Sequence, residues 1–235
     1  MTSTTRAPSV ALIIPALNEE IALGKVLDAL PRGLFARVIV ADNGSTDQTA
    51  AVARERGAEV VSEPRRGYGR ACLAGLAALK DETSIVVFMD ADGSDVPEEA
   101  GQLLAPILAD EVDLVIGSRV LGQAEPGSLR LAQRWGNRLA VTLMAWLYGH
   151  RYTDLGPFRA IRRASLEQLV MRDTNFGWTV EMQVKALRRG LRVREVPVSY
   201  RRRLGESKIS GTVGGAVRAG IKILCTIVRL RFSEP

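Results

Sequence analysis

Val86-Val87-Phe88-Met89-Asp90-Ala91-Asp92-Gly93-Ser94 is the stretch on which the reading of this chain turns. An apolar run short enough for a buried parallel strand ends in two carboxylates one residue apart, a glycine follows, and Pro97 opens a helix just beyond. In an open α/β sheet, ligands occupy the crevice outside the carboxyl ends of the strands. An Asp-x-Asp pair placed there offers hard oxygen ligands to a divalent cation. Taken alone, Asp-Ala-Asp serves equally well as a polar cap on the next helix, so the flanking sequence has to decide.

Upstream, Val10 to Ile14 reads as a buried strand stopped by Pro15, with Asn18 placed to cap a helix that carries Glu19 and Glu20 in its first turn. Ala36 to Ala41 repeats the pattern and ends at Asp42-Asn43-Gly44-Ser45-Thr46-Asp47, before a helix to about Gly57. Glu59 to Ser62 is a short third strand, and Arg65-Arg66-Gly67-Tyr68-Gly69-Arg70 precedes an Ala/Leu-rich helix to Lys80. Downstream, Pro97 to Ala109 is helical, and Val112 to Ile116 is a strand ending in Gly117-Ser118-Arg119. This alternation predicts an α/β fold with a doubly wound, mostly parallel sheet. Three strand ends then present polar groups to one crevice: Asn18/Glu19, Asp42/Asn43 and Asp90/Asp92. Asp42 or Glu19 suits ribose hydroxyls or a base N–H, and Asp92 suits a cation on a diphosphate. Neither G-x-G-x-x-G nor G-x-x-x-x-G-K-[ST] follows the first strand, which excludes dinucleotide and P-loop sites there.

The second half changes character. Ser128 to Tyr148 is a long helical pattern with Arg130, Arg134 and Arg138 spaced by four; its apolar residues suit a core helix, while Trp135, Trp146 and Tyr148 beside arginines suit a membrane interface. Thr153 to Arg159 is a loop leading into a strand, followed by helices near Ser165 to Met171 and Thr179 to Arg189 and an alternating strand, Val193 to Tyr200. Arg201-Arg202-Arg203-Leu204-Gly205-Glu206-Ser207-Lys208 reads as a flap whose cations fold over bound phosphates. The tail from Val213 to Phe232 is a basic amphipathic helix, for which membrane-surface contact, docking on the domain and self-association as a homo-oligomer all remain open.

A chain of 235 residues with 46% hydrophobic content buries one large core, and no linker, repeat or low-complexity tract divides it. From Arg188 onward twelve Lys and Arg face three Asp and Glu, whereas the whole chain carries only +6. That asymmetry calls for an anionic partner: nucleic acid, a phosphate-bearing substrate or a membrane surface. With 5% aromatic residues and no nucleic-acid motif, nucleic acid is ranked out. Two distant cysteines, Cys72 and Cys225, make no disulfide framework and fit a reducing cytosol. Met1 to Pro8 lacks the apolar core of a secretory signal, and the 11-residue tract Leu139 to Gly149 is too short for the ~20 residues that span a bilayer.

Together these residues resemble the family 2 glycosyltransferases of the nucleotide-sugar-binding GT-A fold, and among them the dolichyl- and polyprenyl-phosphate sugar transferases, over about Val10 to Thr212. Pro15-Ala16-Leu17-Asn18-Glu19-Glu20 looks like the opening nucleotide-binding turn, Asp42-Asn43-Gly44 the second, Arg66-Gly67-Tyr68-Gly69 the Gly-rich segment and Asp90-Ala91-Asp92 the metal motif. Gly117-Ser118-Arg119, Arg134 with Asn137, Thr153-Asp154 through Arg159, and Gly205-Glu206-Ser207-Lys208 complete the series in order. The resemblance implies a GT-A domain over 1–212 and an appended helix over 213–235. It implies Mg²⁺ or Mn²⁺ on Asp90 and Asp92, Lys208 with Ser207 and one of Arg201 to Arg203, Arg201 foremost, closing over the donor phosphates, and Arg119 and Arg134 holding an acceptor phosphate. Asp154 is expected to contact the sugar or to order its loop. Asn43 and Leu155-Gly156-Pro157 depart from the usual family residues.

One absence carries chemistry. Members acting on sugar hydroxyls tend to place Glu-Asp on a late helix, the Asp serving as base, and here Glu181 is followed by Met182. A hydroxyl nucleophile needs that base, whereas a phosphate monoester, with a second pKa of about 6, is largely dianionic at neutral pH and attacks without one. The expectation is inverting transfer of a hexose from a nucleotide diphosphate sugar to a polyprenyl phosphate at the cytosolic membrane face, with His150 outside the chemistry. The rivals are a metal-dependent transferase with a soluble hydroxyl acceptor and a non-enzymatic nucleotide-sugar-binding regulator.

Overall fold

The computed structural model describes residues 8–205 and 213–232. Seven strands, β1 (Ser9–Ala16), β2 (Arg37–Asp42), β3 (Glu59–Ser62), β4 (Thr83–Phe88), β5 (Leu114–Ser118), β6 (Arg159–Arg162) and β7 (Val193–Pro197), form one sheet in the order β3-β2-β1-β4-β6-β5-β7. β1 to β4 pair in parallel, as do β5 and β7, while β6 runs antiparallel to both β4 and β5. The doubly wound pattern therefore holds for the first four strands, and one reversed strand is inserted after it.

Helices α1 (Glu20–Asp28), α2 (Thr49–Glu55) and α4 (Ala100–Leu108) cover one face, and α3 (Tyr68–Ala77), α5 (Leu131–Tyr148), α6 (Arg163–Leu169), α7 (Trp178–Arg188) and α8 (Val213–Phe232) the other. Strand pleating splits the core accordingly: Leu12 and Ile14 pack with Leu23 and Leu103 on the first face, and Ile13, Val86 and Phe88 with Trp178 and Met182 on the second. Burial on both faces explains why the central strands read as continuous apolar runs rather than alternating ones.

Two boundaries differ from the expectation in a physically informative way. β1 continues through Pro15 to Ala16, because β4 has stopped pairing with it after Ile13 and the missing proline N–H removes no ladder bond on that side. Asn18 does not cap α1: its backbone is left-handed at φ 52°, its side chain accepts from Thr46 N–H at 2.8 Å, and its own N–H donates to Ser45 Oγ at 2.9 Å. It stitches the turn after β1 to the turn after β2. The tail helix spans Val213–Phe232, and one side of it buries Thr226, Ile227 and Leu230 against the body. Tyr148 on α5 donates to the Ile227 carbonyl at 2.7 Å, and Arg188 on α7 to that of Leu230, so α8 docks on the domain between those two helices.

Candidate active site

The carboxyl ends of β1, β2 and β4 open on a cleft of about 380 Å³. Pro15, Ala16 and Glu19 line it from the first turn, Asn43 from the second, Arg66, Gly67 and Tyr68 from the entry to α3, and Asp90, Ala91 and Asp92 from the end of β4. The three polar strand ends thus converge as the sequence implies. Gly44 and Asp42 stand behind this wall rather than on it. Asp42 accepts from Ser45 N–H at 3.1 Å to shape the turn, and Gly44 adopts φ +75° there.

Asn43 explains its own identity. Its amide nitrogen donates to the carbonyls of Glu63 (3.0 Å) and Arg65 (2.8 Å), and its oxygen accepts from Gly67 N–H at 2.8 Å. A carboxylate could accept the last bond but donate neither of the first two. Gly67 and Gly69 are needed for packing: a Cβ on Gly69 would stand 1.9 Å from the Asp173 carbonyl oxygen, and one on Gly67 2.2 Å from that of Thr174. The glycine-rich segment therefore lets the loop before α7 press against α3, which brings Asn175 and Phe176 into the cleft wall.

Asp90 and Asp92 are both held by protein donors. Tyr68 Oη donates to Asp90 Oδ1 at 3.0 Å, and Ser94 N–H to Asp92 Oδ1 at 2.9 Å. Burial, and then the Asp92 charge beside it, push the Asp90 carboxyl up to about 7. Asp95 lies behind the pair; its Oδ2 accepts from Asp90 N–H at 3.2 Å, its Oδ1 is buried without a hydrogen-bond partner, and burial, with Asp90 adding to it, pushes its carboxyl well above the usual range. No cluster of three or more protein ligands stands ready for a metal among the described residues. Asp90 and Asp92 together supply two hard oxygens, which fit a divalent cation that completes its shell with ligand and water oxygens.

Arg203 lies across this cleft. Its guanidinium donates to Glu19 Oε1 at 2.8 Å and stands 3.3 Å from Asp92 Oδ2. Of the three consecutive arginines it is this one that reaches in, and Arg201, expected in that role, is exposed outside the cleft lining. The reason is register: Arg201 N–H donates to the Ser94 carbonyl and Leu204 N–H to that of Asp92, both at 2.8 Å, which pins Arg203 beside the carboxylates. Ser207 and Lys208 lie outside the described residues.

Arg119, Asp154 and Arg134 are not in the cleft lining. Arg119 donates through Nε and Nη2 to the two oxygens of Asp154, each at 2.7 Å, and its backbone N–H adds a third bond at 2.9 Å. Tyr200 lies under the guanidinium at 5.0 Å. Asp154 is buried, and besides Arg119 its carboxylate accepts from Leu155 N–H at 2.8 Å within its own loop. Glu195 holds the same loop, accepting from Thr153 N–H at 2.8 Å and Asp154 N–H at 3.0 Å, and Asn137 on α5 bonds the Thr153 carbonyl and Leu155 N–H, each at 3.0 Å. Arg134 is exposed one turn before Asn137. Glu181, buried in α7, accepts from Asp173 N–H at 2.7 Å and pairs with Lys185 at 2.7 Å, facing its own loop and not the cleft. His150 packs edge-on against Tyr152 and does not line the cleft.

Tyr68, Asp95, Phe176 and Glu195 belong to this site without having been singled out. Asp95 could have been found as the third carboxylate of Asp90-x-Asp92-x-x-Asp95; the other three announce themselves only by long-range contacts.

Comparison with known proteins agrees with the geometry. The chain is 40% identical over 218 residues to an uncharacterized glycosyltransferase of Mycobacterium tuberculosis, covering 90% of this chain and 94% of the relative. It is 33% identical over 224 residues to a dolichyl-phosphate hexose transferase of Haloferax volcanii, covering 94% and 96%. In fold it matches glucosyl-3-phosphoglycerate synthase of M. tuberculosis, solved with Mn²⁺, UDP-glucose and phosphoglyceric acid, with a TM-score of 0.79 at 24% identity over 97% of this chain and 82% of that one. The family model for Glycosyl transferase family 2 matches residues 11–170, from β1 through α6 and so across the whole carboxylate-bearing wall of the cleft. A GT-A sheet with paired aspartates at the end of its central strand, and this match over most of its length, place the chain in glycosyl transferase family 2.

Proposed function

We propose that the protein transfers a hexose from a nucleotide diphosphate sugar to a polyprenyl phosphate, with inversion at the anomeric carbon. The observation that carries this reading is the absence of a positioned base. Among the described residues, the carboxylates lining the cleft are Glu19, Asp90 and Asp92: Glu19 and Asp92 are paired with Arg203, Asp90 is bonded by Tyr68 and would be spent on the cation with Asp92, and Glu181 is turned into its own loop. A phosphate nucleophile needs no proton removed, and the named activity of the Haloferax relative lies in the same class.

In this reading the donor lies along the cleft, its nucleoside against the first two turns, where Glu19 accepts from a ribose hydroxyl or a base N–H, and its diphosphate near Asp92. Asp90 and Asp92 would hold Mg²⁺ or Mn²⁺; when bound, the cation neutralises charge on the departing diphosphate. Arg203 exchanges its carboxylate partners for phosphate oxygens, a preferred partner for a planar guanidinium fork, and Lys208 with Ser207 closes the flap. Arg119, oriented by Asp154 and with Nη1 left over, receives the acceptor phosphate together with Arg134. The phosphate oxygen attacks the anomeric carbon as the bond to the diphosphate breaks on the opposite side, and the departing oxygen leaves as an anion, so no proton is moved.

No described helix is long and apolar enough to cross a membrane. Acceptor access instead uses α5 and α8, which expose Trp135, Trp146 and Phe232 and would hold the enzyme peripherally at the cytosolic face. The test is a transfer assay with UDP-, GDP- and dTDP-sugars, a divalent cation and a short polyprenyl phosphate in detergent. Label should move to the organic phase, and Asp92→Ala should lower the rate at least about a hundredfold. Consumption of donor only with a soluble alcohol would overturn the acceptor assignment, and binding without turnover would make the protein a sensor.

A further inference from the structure

A second cavity, of about 530 Å³, lies on the α7 and α8 side of the molecule, walled by the end of α6, the loop that follows it, α7 and α8. Six cations line it, Arg172, Lys185, Arg188, Arg189, Lys222 and Arg229, against two carboxylates, Asp173 and Glu181. Both carboxylates are taken: Lys185 pairs with Glu181 at 2.7 Å and Lys222 with Asp173 at 3.0 Å. Arg188 donates to the Leu230 carbonyl. The guanidinium groups of Arg172, Arg189 and Arg229 are exposed and make no ion pair among the described residues. Six cations less two carboxylates leave four positive charges around one concavity, a charge balance that suits a phosphoryl anion.

The position of the cavity says how that phosphoryl group arrives. On α8, Val217, Ile221, Val228 and Phe232 recur at helical spacing and are all exposed. Lys222 and Arg229 each follow one of these apolar residues and sit on the flank that turns into the cavity. The neighbouring α5, joined to α8 through Tyr148, exposes its own stripe of Leu131, Trp135, Leu139 and Trp146. A soluble anion would use the cavity alone. An anionic lipid uses both features, its phosphate in the cavity and its chains beside the apolar layer.

We propose that this cavity is a headgroup site for anionic phospholipid, separate from the sugar-transfer cleft, which seats α8 and α5 on the membrane. The proposal deepens the peripheral membrane reading of those two helices and rests on it, but vesicle binding is read without any turnover. The experiment is flotation of the purified full chain with vesicles of phosphatidylcholine alone or of phosphatidylcholine with an equal part of phosphatidylglycerol, at low salt. Binding is expected only to the mixed vesicles. Each basic group beside an anionic surface contributes about fivefold in affinity, so Arg189→Gln with Arg229→Gln should weaken binding roughly twenty- to thirtyfold. The same charge removed at two exposed arginines away from the cavity, Arg32→Gln with Arg54→Gln, should cost far less. Equal losses from both pairs, or none from the first, would overturn the site. So would inorganic phosphate saturating the cavity in a protein that ignores mixed vesicles, or a homodimer, lost in Trp146→Ala, that floats with neither vesicle. Transfer to polyprenyl phosphate in detergent without flotation would leave the reaction standing and remove the headgroup site; flotation with transfer only to a soluble alcohol would do the reverse.

Discussion

Asn43 shows how much one side-chain atom decides. Its amide holds the carbonyls of Glu63 and Arg65 while its oxygen holds Gly67, so a single residue ties the end of β2 to the entrance of α3. Replacing Asn43 by Asp keeps the shape and removes both donated bonds, facing a carboxylate with two carbonyl oxygens. Urea unfolding should register a loss of about 1–3 kcal/mol. Asp90 makes the site sensitive to pH. Its carboxyl sits at about 7, raised by burial and by Asp92, so between the ordinary carboxylate value and about 7 the folded state holds a proton that the unfolded chain has released. Stability contributed by that proton is complete at low pH and is lost as pH rises through the window. The cation-free protein should therefore show a falling urea midpoint from about pH 4 to about pH 7, and Asp90→Asn should make the fall shallower, leaving the part due to the buried Asp95 carboxyl. Legibility at this scale was partial: Asp90 and Asp92 stand out in the sequence, while the choice of Arg203 over Arg201 depends on backbone bonds to Ser94 and Asp92 from a segment far along the chain.

Among the elements, α8 divides into two faces with different consequences. Ile227 is completely buried against the α5 side, whereas Val228 beside it is exposed. Ile227→Ala should cost about 2–5 kcal/mol through lost burial and the cavity left behind, and Val228→Ser should stay within about 0.5 kcal/mol. Thermal unfolding of the two variants in parallel checks the difference. The helical spacing over Val213 to Phe232 was legible because amphipathic period is a local property. Which face would find a partner was not, since that depends on α5 and α7 arriving from elsewhere. The same limit explains β6: a strand is expected after the Thr153 to Arg159 loop, but its antiparallel place between β4 and β5 follows from pairing partners about 40 to 80 residues away in sequence, and no local pattern encodes them.

For the whole molecule, the crevice at the switch from β1 to β4 is walled by several elements, so a ligand held there would contact the turns after β1, β2 and β4 together. Occupancy should therefore stabilise the entire cooperative unit. With nucleotide diphosphate sugar and a divalent cation at about a hundred times their dissociation constant, unfolding should become harder by about 2.7 kcal/mol. The shift in melting temperature should need both components, and should vanish in Asp92→Ala. A shift produced by nucleotide alone would remove the cation from the proposal and leave the cleft. The uneven charge of the chain also resolves at this scale: its basic C-terminal part contributes Arg203 to the cleft and Lys222 and Arg229 to the second cavity, on separate parts of the fold.

The alternation of strands and helices in the first half, the polar residues at the strands' carboxyl ends, the carboxylate pair and the tail helix were determined by the sequence alone, because each is written in residues near one another along the chain. Tertiary structure decided the rest: that Arg203 meets Glu19 across 184 residues, that Gly67 and Gly69 make room for a loop, that Asp154 is spent on Arg119, and that six cations from three elements share a cavity. Those outcomes depend on which surfaces meet when the sheet closes, and chain connectivity leaves that to packing.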